Sequence, residues 1–218
     1  MCFSATASFT AGVSLTAMGL IIVKMARRRA EIPFAAIPLL FGIQQLIEGI
    51  LWLSFRFEAH LLNTIMTYLF TLFSHVLWPI LLPLSIGLLE TDPLRKKIIY
   101  TFQITGAAVG AYLLYFIVRF PITSEINVHV MYIFPHFHKP LVLLLYIVAT
   151  CVSALFSSHR IVNLFGVIAL LLFVVSYWFY TVAFFSVWCF FCAILSAVIY
   201  LHFKFGQVRR PELTAQQA

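Results

Sequence analysis

Glu48 lies in the run FGIQQLIEGILW (41–52), His75 in SHVLWP (74–79), and Cys189 and Cys192 in WCFFC (188–192). Carboxylate, imidazole and thiolate are zinc-ligand types, and a catalytic zinc keeps three protein ligands plus a water whose pKa it lowers to about 7. In one arrangement His75, Cys189 and Cys192 hold zinc, and Glu48 is the general base or orients the bound water. The expected reaction is addition of water: hydrolysis of a lipid-like amide or ester, or hydration of a small carbonyl such as CO2. The same Glu48 and His75 would also serve a transporter or channel as a proton or cation relay. Cys189 and Cys192, one helical turn apart, would suit a redox pair. Each group also has a plain reading: a protonated structural carboxyl, a packing histidine, thiols as apolar filler.

The opening run MCFSATASF adds Cys2. Removal of Met1 would leave a thiol beside a free α-amine, a nucleophile with a built-in base or a further metal ligand. Ser4, Thr6 and Ser8 supply hydroxyls nearby. The plain reading is a polar terminus or a helix cap.

Local spacing groups these residues. Gln44, Gln45, Glu48 and Trp52 fall on one face of a helix, and His75 and Trp78 are a turn apart. Gln45, Trp52 and Trp78 are expected to hold the reacting groups in orientation by hydrogen bonds or packing. Pro79 has no N–H for the carbonyl of His75, so the helix is expected to bend there and free that carbonyl. Pro83 repeats the defect at the carbonyl of Pro79. Freed backbone groups at membrane depth need protein or a wet cavity around them.

The elements that carry these groups follow from composition. The chain has 218 residues, 63% hydrophobic and 10% charged, with a mean hydropathy of +1.03. A soluble domain could not bury so much apolar surface, and the apolar runs have the length of membrane helices, about 20 residues each. The reading is an all-α polytopic membrane protein with seven transmembrane helices, near 8–26, 34–55, 65–89, 98–118, 140–157, 161–179 and 182–203. Residues 1–206 form a single domain, followed by a cytoplasmic tail at 207–218. The first helix reads as retained rather than as a signal peptide, since no basic segment precedes it. The connection at 119–140 is long, mixed in character and a candidate lid.

Charge sets the orientation. With seven spans, 11 of the 14 Lys and Arg fall on one side, and Arg56, Arg119 and Lys139 on the other. The positive-inside rule then puts the N-terminus outside and the C-terminus in the cytoplasm. The net charge of +7 is thereby a topology signal, and no nucleic-acid partner is expected. The expected partners are the bilayer and a small-molecule or lipid-like substrate. Of seven acidic residues only Glu48, and of seven histidines only His75, lies well inside a span. Both fall in the outer half of the bilayer, as do Cys189 and Cys192. A charge at a helix centre costs about 2.5–3.5 kcal/mol on insertion scales, so it normally faces the bundle interior with a partner.

MCFSATASF, with FGIQQLIEG and HVLWP after it, resembles an uncharacterised family of small multi-spanning bacterial membrane proteins that open on nearly this run. The resemblance covers the whole chain and brings no activity with it; it implies a bacterial cytoplasmic (inner) membrane. The matching positions include Cys2, Gln45, Glu48, His75, Trp78 and Pro79. In span count the chain is also similar to ceramidase-like membrane hydrolases, but those use a histidine triad with an H-x-x-x-H pair, absent from the spans here. His136 and His138 are two apart, which does not suit one helical face.

Overall fold

The computed structural model describes residues 4–126, 129–134, 140–180 and 183–208. Apolar runs too long for loops become helices: α1 (Ala5–Met25), α2 (Arg29–Arg56), α3 (His60–Leu89), α4 (Pro93–Arg119), α5 (Pro140–Leu155), α6 (Arg160–Phe179), α7 (Phe184–Leu195) and α8 (Val198–Val208). The last two run on from each other, and Ser186–Phe205 together is one span-length apolar unit. Six of the described helices are long and apolar enough to cross a membrane. The helix expected over 140–157 is Pro140–Leu155, apolar but shorter.

The expectation of an all-helical chain needs one correction. Within the connection at 119–140, β1 (Thr123–Ile126) and β2 (Val130–Ile133) pair antiparallel, with Thr123 opposite Ile133 and Ile126 opposite Val130. The β-branched residues of this stretch favour a pleated, half-buried ribbon over a helix.

Two ends of the bundle are defined by side chains. At one, the buried Glu90 after α3 accepts from the Ser158 N–H (2.7 Å) and hydroxyl (2.8 Å) between α5 and α6. It also accepts from the N–H groups of Thr91 and Asp92, both at 3.0 Å. Burial by itself raises the Glu90 carboxyl, but these donors, the Ser158 and Asp92 N–H groups first, outweigh it and hold the group below its ordinary value of 4.5. Arg95 donates to the carbonyls of Phe156 and Ser157, and the rings of His159 and His202 meet edge to face. At the other end, Thr67 and Asn63 of α3 bond Ser124 of β1, and Tyr68 accepts from the Ile122 N–H. Glu58, in the α2–α3 turn, has a left-handed φ of 52°. Successive helices therefore alternate in direction, and α5 returns from the hairpin end to the Glu90 end.

Small residues bring the helices close, as in membrane bundles where apolar contact with lipid gives no driving force of its own. A Cβ on Gly19 of α1 would strike the backbone of Leu39 in α2, and one on Gly106 of α4 would strike the carbonyl oxygen of Pro79. The carbonyl freed by Pro83 thus fronts a glycine of α4, which leaves room for it. Outward faces stay apolar: Val118 and Trp178 are each 80% exposed, with Leu114, Leu171 and Val174 around them. Such surface is stable against lipid, not water.

Candidate functional site

The interior of α2, α3, α5 and α7 holds polar groups that the apolar outer faces lack. Glu48 and both glutamines before it are 0% exposed. The Ser186 hydroxyl of α7 donates to Glu48 Oε1 at 2.6 Å. The Trp78 indole N–H of α3 donates to Gln44 Oε1 at 2.7 Å while its ring stacks on Phe41 at 3.9 Å. The stripe read from helical spacing thus faces inward, against α3 and α7.

The defect expected at Pro79 is present in a different register. Residues Leu72–Leu77 form a π-helical segment, and the Trp78 N–H bonds the carbonyl of Phe73, five residues back. In that register the missing Pro79 donor frees the carbonyl of Ser74, not that of His75. The extra residue in the turn moves the orphan acceptor by one position, which corrects the expectation. The Tyr146 hydroxyl of α5 fills it, donating to Ser74 O. Ser74 Oγ in turn hydrogen-bonds His75 Nδ1 at 2.7 Å. Phe134, at the end of the hairpin, lies edge-on to the His75 ring at 5.1 Å, and Tyr132 stacks on Phe70 at 4.3 Å. The hairpin covers the π segment from one end.

A second π segment, Val148–Val152, interrupts α5 next to Tyr146. Hydroxyls take up its carbonyls: Thr150 donates to Tyr146 O and Ser153 to Ala149 O. Single π turns inside helices recur at functional sites, and here Thr150 and Cys151 of the second, with Trp78 just after the first, line one cavity. It measures about 20 Å³ and is lined by Trp78, Tyr146, Thr150, Cys151, Cys189 and Cys192 among others. That is room for about one water.

The sites read from sequence sort as follows. Trp78, Cys189 and Cys192 share the cavity wall. Glu48 is tied to α7, and His75 stands in the π segment. Gln45 and Trp52 lie beside Glu48 on α2, and the Trp52 indole nitrogen has no protein partner among the described residues. Cys2, His136 and His138 lie outside the described residues; Ser4 caps α1, accepting from the Ala7 N–H at 3.2 Å. Among the described residues no three His, Cys, Asp or Glu side chains are grouped to hold a metal ion. Tyr146, Ser74, Cys151 and Ser186 were not singled out from sequence. The one available signal was hydroxyl residues, Thr150 and Ser153, in an otherwise apolar helix.

A family described only as being of unknown function, DUF6629, matches residues 1–216. The chain belongs to the DUF6629 family. This agrees with the resemblance carried by the opening run and leaves the activity open. No curated protein and no solved structure matches the chain. For this DUF6629 chain the function therefore has to be argued from the buried site itself.

Proposed function

We propose that this chain is a seven-helix membrane protein that relays protons, or a small cation, through Glu48 and His75. The observation that carries the reading is Glu48, wholly buried among apolar helices and held across the bundle by Ser186. A carboxyl at that depth is costly and normally marks an ion or proton path. His75 adds an imidazole, the side chain suited to proton exchange near neutral pH, in a helix segment whose backbone is already loosened. We take α5 as the seventh span, because its two ends join opposite ends of the bundle. The basic residues then put the N-terminus outside and residues 207–218 in the cytoplasm, in a bacterial inner membrane.

The test is flux in liposomes carrying the purified protein under an imposed pH gradient. Proton or cation flux that depends on pH and is lost in Glu48→Gln supports the relay. Wild-type liposomes as tight as empty ones, or full flux in Glu48→Gln, overturn it.

A second reading is zinc-dependent activation of water, favoured by Cys189 and Cys192 facing one cavity. It requires His75 or Cys2 to join the two thiols, with Glu48 as base. Elemental analysis of the wild type beside His75→Ala separates the two readings: stoichiometric zinc lost in the variant supports the enzyme, and metal-free wild type removes it.

A further inference from the structure

Five buried polar atoms near Glu48 have no protein partner among the described residues: Gln44 Nε2, Gln45 Nε2, Gln45 Oε1, Trp52 Nε1 and Ser8 Oγ. Gln44, Gln45 and Ser8 are each 0% exposed. Buried polar atoms are otherwise nearly always hydrogen-bonded, so a cluster without protein partners points to a small bound species.

These atoms lie along one stretch of the bundle interior. Along α2 the positions from Gln44 to Trp52 span about 12 Å, at about 1.5 Å per residue. α1 runs antiparallel beside them, with Gly12 against Leu46 and Phe9 against Gly49, which puts Ser8 between the levels of Glu48 and Trp52. Ser186 brings α7 to the same stretch through its bond to Glu48.

Their polarity selects the species. Gln44 Nε2, Gln45 Nε2 and Trp52 Nε1 only donate, Gln45 Oε1 only accepts, and the Ser8 hydroxyl does either. The three donors disfavour a resident cation, and Gln45 Oε1 beside the Glu48 carboxyl disfavours a resident anion. Water satisfies both kinds, at about two to four bonds each. We propose that two or three internal waters occupy this stretch and form a hydrated path along α2 from Trp52 to Glu48. This deepens the relay reading and rests on it for its role: the waters are the route by which protons reach the carboxyl.

The test is solution NMR of the ¹⁵N-labelled full chain in nanodiscs, reading magnetisation transfer from water to side-chain N–H groups. Gln45→Met assigns the Gln45 amide and Trp52→Phe the Trp52 indole. Water cross-peaks are expected at both. None is expected at the indoles of Trp78 and Trp188, which donate to Gln44 Oε1 and Ala169 O. Gln45→Met is expected to weaken the Trp52 cross-peak as well. Gln45 and Trp52 signals that exchange no more than those of Trp78 and Trp188 overturn the path. Positive cross-peaks with no liposome flux would leave the waters and remove the relay; flux with silent cross-peaks would do the reverse.

Discussion

The hydroxyl of Tyr146 donates to the carbonyl oxygen of Ser74, the acceptor that Pro79 cannot serve in the π-helical register of α3. One hydrogen bond thereby joins two interrupted helices, and one cavity is lined by Trp78, just after the first interruption, and by Thr150 and Cys151 of the second. The defect in α3 is stable because α5 supplies the missing donor. The donor is held in turn by burial of the Tyr146 ring, which is 1% exposed and lies 6.0 Å from the Trp188 ring.

Tyr146→Phe keeps that ring and removes only the hydroxyl. It leaves a buried carbonyl unsatisfied, at a cost of about 1–3 kcal/mol. Thermal unfolding in detergent is expected to show a lower midpoint. An unchanged midpoint would mean that Ser74 O finds another donor.

Ser186→Ala withdraws the donor from Glu48 Oε1. An intramolecular hydrogen bond contributes about 0.5–1.5 kcal/mol, so stability and flux are both expected to fall, with Ser186→Thr restoring part of each. Paired melting and flux assays check this. Equal behaviour of the alanine and threonine variants would deny the hydroxyl its role.

Gly106→Ala sets a methyl group against the Pro79 carbonyl oxygen, a backbone atom that cannot rotate away. Overpacking of this kind costs about 1–3 kcal/mol. In Gly49→Ala the atoms nearest the added Cβ belong to the Phe9 ring, at 3.1 Å, a half-buried side chain rather than backbone. The first variant is expected to melt well below the second; similar melting temperatures would contradict the close approach of α3 and α4.

Glu90 gives a pH signature. Its carboxyl is held below the ordinary 4.5 by the Ser158, Asp92 and Thr91 donors. A carboxyl lowered in the fold stabilises it fully above the unfolded value, and that contribution is lost as pH falls through the folded value. Melting curves taken from pH 7 downward should therefore decline below about 4.5 in the wild type. Glu90→Gln should melt lower at pH 7 and decline less steeply. Parallel curves for the two proteins would show that Glu90 is not the linked group.

Much of the site was legible in single stretches of chain. Glu48 and His75 stand out because a titratable side chain inside an apolar run is costly wherever the run is placed. Gln44, Gln45 and Trp52 follow from helical spacing alone. Pro79 marked the break in α3, but not which carbonyl it frees, since that depends on whether the turn holds one more residue. The hairpin at 123–133 escaped notice because an expected all-helical bundle has no place for a ribbon, although its β-branched residues were in view. Tyr146 and Ser186 were illegible for a plainer reason: their partners, Ser74 and Glu48, lie 72 and 138 residues away.

By itself the sequence determined the class of the molecule, an apolar helical protein with basic connections, because hydropathy and helical period are properties of neighbouring residues. It also determined which few polar side chains would be buried at a cost. Only the tertiary structure decided what meets them: a serine of α7 for Glu48, a tyrosine of α5 for the orphan carbonyl of α3, and a shared cavity wall for Cys151, Cys189 and Cys192. Those pairings arise from helices packed at close range through glycine and serine, and the distance along the chain between partners carries no record of them.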